Sequence, residues 1–134
     1  MDKNYYESLV TVRFDRAKEL YAEAKQLTDM DCYKSANNRA FYSIEKCIKA
    51  LLATKQMDVE THNGAVSQFN LLFIHQEKGY FTKADYQKIA KADRIRNASD
   101  YDDFYIVNKE ETRELLEFAR DFLDKTEKYI IKTK

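Results

Sequence analysis

The sequence predicts an all-α fold: an up-and-down bundle of four long helices plus a shorter one, with residues 1–134 forming a single domain. Three observations carry that reading. The 134 residues include no proline and only two glycines, and turn-rich β architectures need both. Apolar residues recur at helical rather than alternating spacing through five stretches. Helix-start pairs three residues apart, Thr82 with Asp85 and Asn108 with Glu111, mark where two of those stretches begin.

The first helix is expected from about Asn4 to Thr28. Placed on a helical wheel, Tyr5, Leu9, Val12, Leu20 and Leu27 share one sector. Tyr6, Val10, Phe14, Ala17 and Tyr21 fill the next, giving an apolar arc of roughly 200°. An arc that wide implies more than one packed neighbour, either a second subunit or two flanking helices of the same chain. Asp29-Met30-Asp31 makes a short connection, with Asp31 as the expected N-cap. The second helix, Cys32 to Lys55, carries small residues at Ala36, Ala40, Ser43, Cys47 and Ala50, which suits a central position. Residues 56–64, including His62 and Gly64, form the most loop-like segment. A short aromatic helix follows from Ala65 to Lys78, stopped by Gly79. The fourth helix begins at Thr82 and is expected to end near Ala98. The last runs from Asn108 to about Ile131, with Leu115, Leu116, Ala119, Phe122, Leu123 and Ile130 inward.

Bulk composition narrows the function. The 23 basic and 23 acidic residues cancel, so no global positive field recruits polyanions, and any nucleic-acid contact must come from a local cluster. Cys32 and Cys47 lie on one helix, more than about 20 Å apart at 1.5 Å per residue, beyond disulfide reach. They read as reduced, buried residues of a cytoplasmic protein. No apolar run is long enough for a membrane span. There is no Gly-rich phosphate loop, no HExxH and no nucleophile elbow. With His62 and His75 the only histidines, a histidine-rich metal site is ruled out; His62 is either a ligand-facing base or a cap or surface residue, and His75 is structural. Asp93, Asp100, Asp102 and Asp103 match no EF-hand spacing. Neither a metal nor a cofactor is expected.

The densest chemistry lies in Arg94-Ile95-Arg96-Asn97-Ala98-Ser99-Asp100-Tyr101-Asp102-Asp103. Arg96 and Asp100 stand one helical turn apart and share a face. Arginine is well shaped to hold a phosphate through two parallel charge-assisted bonds, which invites a nucleotide or RNA reading. The plainer alternative is an Arg–Asp pair that only finishes the helix, and such pairs contribute roughly 0.3–0.5 kcal/mol.

Ser35-Ala36-Asn37-Asn38-Arg39-Ala40-Phe41-Tyr42-Ser43, followed by Ala50-Leu51-Leu52, resembles the second-helix signature of HEPN-domain proteins (higher eukaryote and prokaryote nucleotide-binding). His62-Asn63-Gly64-Ala65-Val66 with Phe69 and Phe73 resembles the next segment. Arg96-Asn97-Ala98-Ser99-Asp100-Tyr101 is similar to the arginine-to-aspartate-tyrosine motif of one prokaryotic branch, and Glu111 to Leu123 fits the terminal helix. The resemblance implies a helical bundle that dimerises. It further implies a toxin–antitoxin or defence protein binding RNA or a nucleotide, with a small nucleotidyltransferase as a candidate antitoxin. Many such domains are metal-independent ribonucleases with an Arg, four to six residues, then His. Here Asp100 or Tyr101 stands at the histidine position. In the catalytic version Arg96 stabilises charge on the phosphorane, Asp100 or Tyr101 handles protons, and Arg39, Arg94 and Asn97 bind the nucleic acid. A homodimer would bring Arg39, Arg94 and Arg96 of both chains into one cleft. The alternatives are a non-catalytic module holding a nucleotide or partner, and a purely structural adaptor.

Overall fold

The computed structural model describes residues 2–134. Helix α1 spans Lys3–Asp29, α2 Tyr33–Thr54, α3 His62–Phe69, α4 Lys83–Tyr101 and α5 Lys109–Lys132. A π-helical segment, Asn70–Gln76, continues α3, and no strand occurs among the described residues. The all-α bundle expected from the sequence is what forms.

α2 is the axis. It packs against α1, α3, α4 and α5, and only Lys34 and Ser35 of its residues are exposed. Its most extensive pairing is with α1. Ala17 and Ala24 of α1 and Ala36 and Ala40 of α2 are completely buried, and small side chains let helix axes approach. Ser43 Oγ crosses that seam to donate to the Ala17 carbonyl at 2.8 Å. By contrast α1 buries only Ala17, Leu20 and Ala24. Leu9, Val10 and Phe14 stay half-covered, and Val12 is 63% exposed. The single chain leaves much of the wide apolar arc of α1 open.

The second densely packed region is aromatic. Phe69 of α3, Phe73 of the π-helical segment, Phe81 ahead of α4 and Phe122 and Tyr129 of α5 meet ring to ring. Phe69 and Phe73 stack with centroids 5.4 Å apart. All five are almost fully buried.

Several boundaries differ from expectation for identifiable reasons. Asp31 does not cap α2. It adopts φ 61° and closes α1 instead: Cys32 N–H reaches the Leu27 carbonyl and Asp31 N–H that of Thr28, a Schellman motif with aspartate in the left-handed position. Gln56, at φ 59°, closes α2 in the same way through Met57 to Leu52 and Gln56 to Ala53. Neither turn uses the glycine a sequence reader looks for. The expected loop 56–64 ends early, because Thr61 caps α3 by accepting from the Gly64 N–H. A Cβ on Gly64 would sit 2.5 Å from Thr61 Oγ1, so Gly64 serves a close cap rather than a flexible loop. α4 begins in the expected Thr82–Asp85 capping box but continues past Ala98 to Tyr101. Asn108 caps α5, accepting from the N–H groups of Glu110 and Glu111. Cys47 is buried as expected, whereas Cys32 is exposed, and both are free thiols.

Candidate functional site

Three helices converge where the C-terminal half of α4 faces the N-terminal half of α2 and the first turn of α3. Because α4 stays helical through Tyr101, Asp93, Arg96, Asn97 and Asp100 follow i, i+3, i+4, i+7 and line one face. Opposite them α2 presents Asn37, Asn38, Phe41, Tyr42 and Glu45 at the matching period.

Arg96 is the centre. It is only 7% exposed, and its guanidinium carbon lies 5.1 Å from the Phe41 ring centroid, 5.6 Å from Tyr42 and 6.0 Å from Tyr101. Burying a cation is costly unless it is paired. The pairing comes from Asp93, whose Oδ1 accepts from Arg96 at 2.9 Å, and more distantly from Asp100 at 3.9 Å. Burial is the largest single influence and works against the charge, but the Asp93 bond together with the charges of Asp93 and Asp100 and the neighbouring Tyr42 outweighs it, and the guanidinium is held above its ordinary pKa. Its Nε has no partner.

Asp93 is shared. Its Oδ1 also accepts from Asn97 at 3.4 Å, while its Oδ2 lies 3.2 Å from His62 Nε2. His62 Nδ1 meets Glu45 Oε2, and the ring sits edge-on to Phe41. Glu45 is buried and its other oxygen is 3.2 Å from Lys49 Nζ. On the far side Asp100 accepts from Asn38 at 2.9 Å, Asn38 accepts from Arg39 at 2.6 Å, and Arg39 donates to Glu23 at 3.1 Å. A continuous polar chain thus runs from Lys49 to Glu23 with Arg96 in the middle. Beside it, fully buried Asn37 donates to Ser99 Oγ at 3.0 Å, while its own carbonyl oxygen is unpaired.

Of the residues singled out in the sequence, Arg96, Asn97, Asp100, Tyr101 and Arg39 therefore come together. Tyr101 is 74% exposed and forms the outer wall. Arg94 does not join them. Two positions from Arg96 on a helix, it faces another way, is exposed, and makes no ion pair among the described residues. The sequence reading left the role of His62 open and did not join it, Glu45 or Asp93 to Arg96. The usable signal was Thr61: read as an N-cap, it moves His62 from a loop to the first turn of a helix. No group of three or more His, Cys, Asp and Glu side chains among the described residues is arranged to hold a metal ion.

The family model for the HEPN domain matches residues 10–129, nearly the whole bundle and all of this site. The chain belongs to the HEPN family. Similar HEPN relatives cover most of its length. One, from Methanocaldococcus jannaschii and named "putative toxin", is 32% identical over 117 residues, 87% of this chain and 78% of the relative. A second protein of that organism with the same name is 31% identical, covering 84% of this chain and 81% of its own length. A "UPF0332 protein" of Thermotoga maritima is 27% identical over 95% of each chain. No helix among the described residues of this HEPN protein is long and apolar enough to cross a membrane.

Proposed function

We propose that this HEPN protein is a toxin-type protein that binds RNA or a nucleotide through Arg96, Asn97, Asp100 and Tyr101, with Arg39 beside them. The observation that carries the reading is the immobilised guanidinium. Arg96 is buried, charged and boxed by three aromatic rings, with an exposed tyrosine at the edge of the box. Fixing a phosphate-binding group before the ligand arrives removes part of the ordering cost of binding. The names of the two Methanocaldococcus relatives agree with a toxin role. In the catalytic form Arg96 stabilises charge on the phosphorane while Asp100 or Tyr101 moves the proton. Purified protein incubated with mixed RNA in EDTA tests this. Cleavage by the wild type that disappears in Arg96→Ala is expected, and no cleavage by either removes the catalytic form.

The absent motif histidine favours a second reading, a non-catalytic module that only holds the nucleotide or a partner. A ligand at one hundred times its Kd then stabilises the fold by about 2.7 kcal/mol, measurable by thermal shift. Assembly is part of the proposal. The uncovered arc of α1 fits a homodimer, and sedimentation at micromolar concentration should give twice the 15.9 kDa chain mass. A small nucleotidyltransferase acting as antitoxin is the partner tested by co-purification.

A further inference from the structure

Three side chains from two helices converge on the carboxylate of Asp93. Arg96 and Asn97 bind one oxygen at 2.9 and 3.4 Å, and His62 Nε2 lies 3.2 Å from the other. A phosphate offers the same paired oxygens to the same donors. We infer that Arg96, Asn97 and His62 form one oxyanion cradle for a ligand phosphate, and that Asp93 fills it in the ligand-free protein. This deepens the RNA- or nucleotide-binding reading and rests on it. It adds His62 as a binding residue and makes Asp93 an internal competitor.

Arg96 and His62 are each held by groups other than Asp93. Arg96 is confined by Phe41, Tyr42 and Tyr101. His62 is gripped from behind by Glu45, whose side chain is 8% exposed and tied to Lys49. The Asp93 side chain is 29% exposed, so an outward rotamer would place its carboxylate in water. The exchange also conserves charge. One carboxylate leaves and one phosphodiester, also a single negative charge, takes its place, so buried Arg96 is never left without a counter-ion. His62 stands between two carboxylates, Glu45 at Nδ1 and Asp93 at Nε2, and both ring nitrogens donate at once only in the imidazolium form, so it is as a cation that His62 serves the shared anion.

A structural ion pair and a competitor predict opposite signs. If Asp93 only braces Arg96, removing its charge weakens ligand binding. If Asp93 occupies the cradle, removing its charge strengthens it. The probe is inorganic phosphate, titrated at low ionic strength into wild type and Asp93→Asn and followed through the imidazole resonances of His62. His75, the other histidine and exposed, is the internal control. Phosphate should move the His62 signal in Asp93→Asn at a concentration lower than in wild type by on the order of tenfold, the usual size of a coupling between two ligands. His62→Gln in the Asp93→Asn background should abolish most of that gain. Equal or weaker response in Asp93→Asn overturns the inference. If Asp93→Asn fails to fold, His62→Gln alone decides: it must weaken binding of a short oligoribonucleotide several-fold, and unchanged binding overturns the cradle. The oligoribonucleotide arm also separates the two readings. Binding lost in Arg96→Ala but unaltered in Asp93→Asn keeps RNA binding and removes the competitor. A phosphate response with no oligoribonucleotide binding by any variant keeps the cradle and removes RNA.

Discussion

Helix α3 begins in one kind of interior and ends in another. Its first residue, His62, stands among Glu45, Asp93 and Arg96; its last, Phe69, stands among Phe73, Phe81 and Phe122. In the aromatic region every ring has several ring neighbours, and Phe81 alone meets Phe69, Phe73, Tyr80, Phe122 and Tyr129. The burial behind such contacts adds up with area, and ring geometry contributes only a smaller increment on top. In the charged region each link is one or two directed bonds, and its ions pay for desolvation with little surplus. The first region holds the bundle together, and the second holds a geometry.

That contrast is open to measurement, and the largest effect should come from the aromatic side. Phe69 is completely buried, so Phe69→Ala should cost about 3–5 kcal/mol in chemical denaturation. A loss under about 1 kcal/mol would mean the cluster relaxes around the hole and does not carry the fold. Arg96→Ala removes a side chain with as many heavy atoms yet should cost less, about 1–3 kcal/mol, because Asp93 and Asp100 can turn to water once the cation is gone. Its effect on RNA or phosphate binding should be near-total loss. A stability cost above that of Phe69→Ala would reverse the division of labour drawn here.

Acid should act mainly at the rims. Glu77 is held below the ordinary glutamate range, chiefly by the Lys55 ammonium at 2.8 Å, against the opposing effect of burial and with help from the Tyr129 hydroxyl. Asp58 is depressed chiefly by Arg13. A carboxylate with a lowered folded pKa stabilises the protein above its unfolded value, near 4, and that contribution disappears as pH falls through the folded value. Melting temperature should therefore drop on acidification below about pH 4, and Glu77→Gln should flatten the drop. An identical acid limb in that variant would remove the link. The smallest effect is chemical. Burial pushes the Cys47 thiol up to about 12, so a thiol reagent should modify Cys32 alone in the folded protein and leave stability unchanged. Two modified thiols per native chain would show that the core opens readily.

The sequence revealed these two regions unequally. The aromatic core was readable because apolar side chains repeat at helical spacing, and the caps at Thr82 and Asn108 were readable because they are local. Arg96 with Asp100 was legible for the same reason, being one turn apart. Glu45 was not: a glutamate on a helix looks like solvent-facing charge, and its burial appears only when α3 closes over it. Asp93 was visible but weighed with Asp100, Asp102 and Asp103 as cation ligands, whereas its partners are a histidine from α3 and an arginine of its own helix. His62 was lost with the start of α3, where Asn63 and Gly64 mimic a loop. The tertiary pairings, not the residue types, were the missing information.

The cancellation of Arg96 by a carboxylate of its own helix has a consequence for encounter. A cation neutralised at contact range casts little field beyond it, and the chain as a whole carries no net charge. Polyanions are then not drawn in from a distance, and collision rates should stay near the unsteered range of about 10⁵–10⁶ M⁻¹s⁻¹, almost insensitive to salt. The arginine does its work only after arrival. If RNA is the ligand, selection then falls to contact geometry and not to long-range attraction.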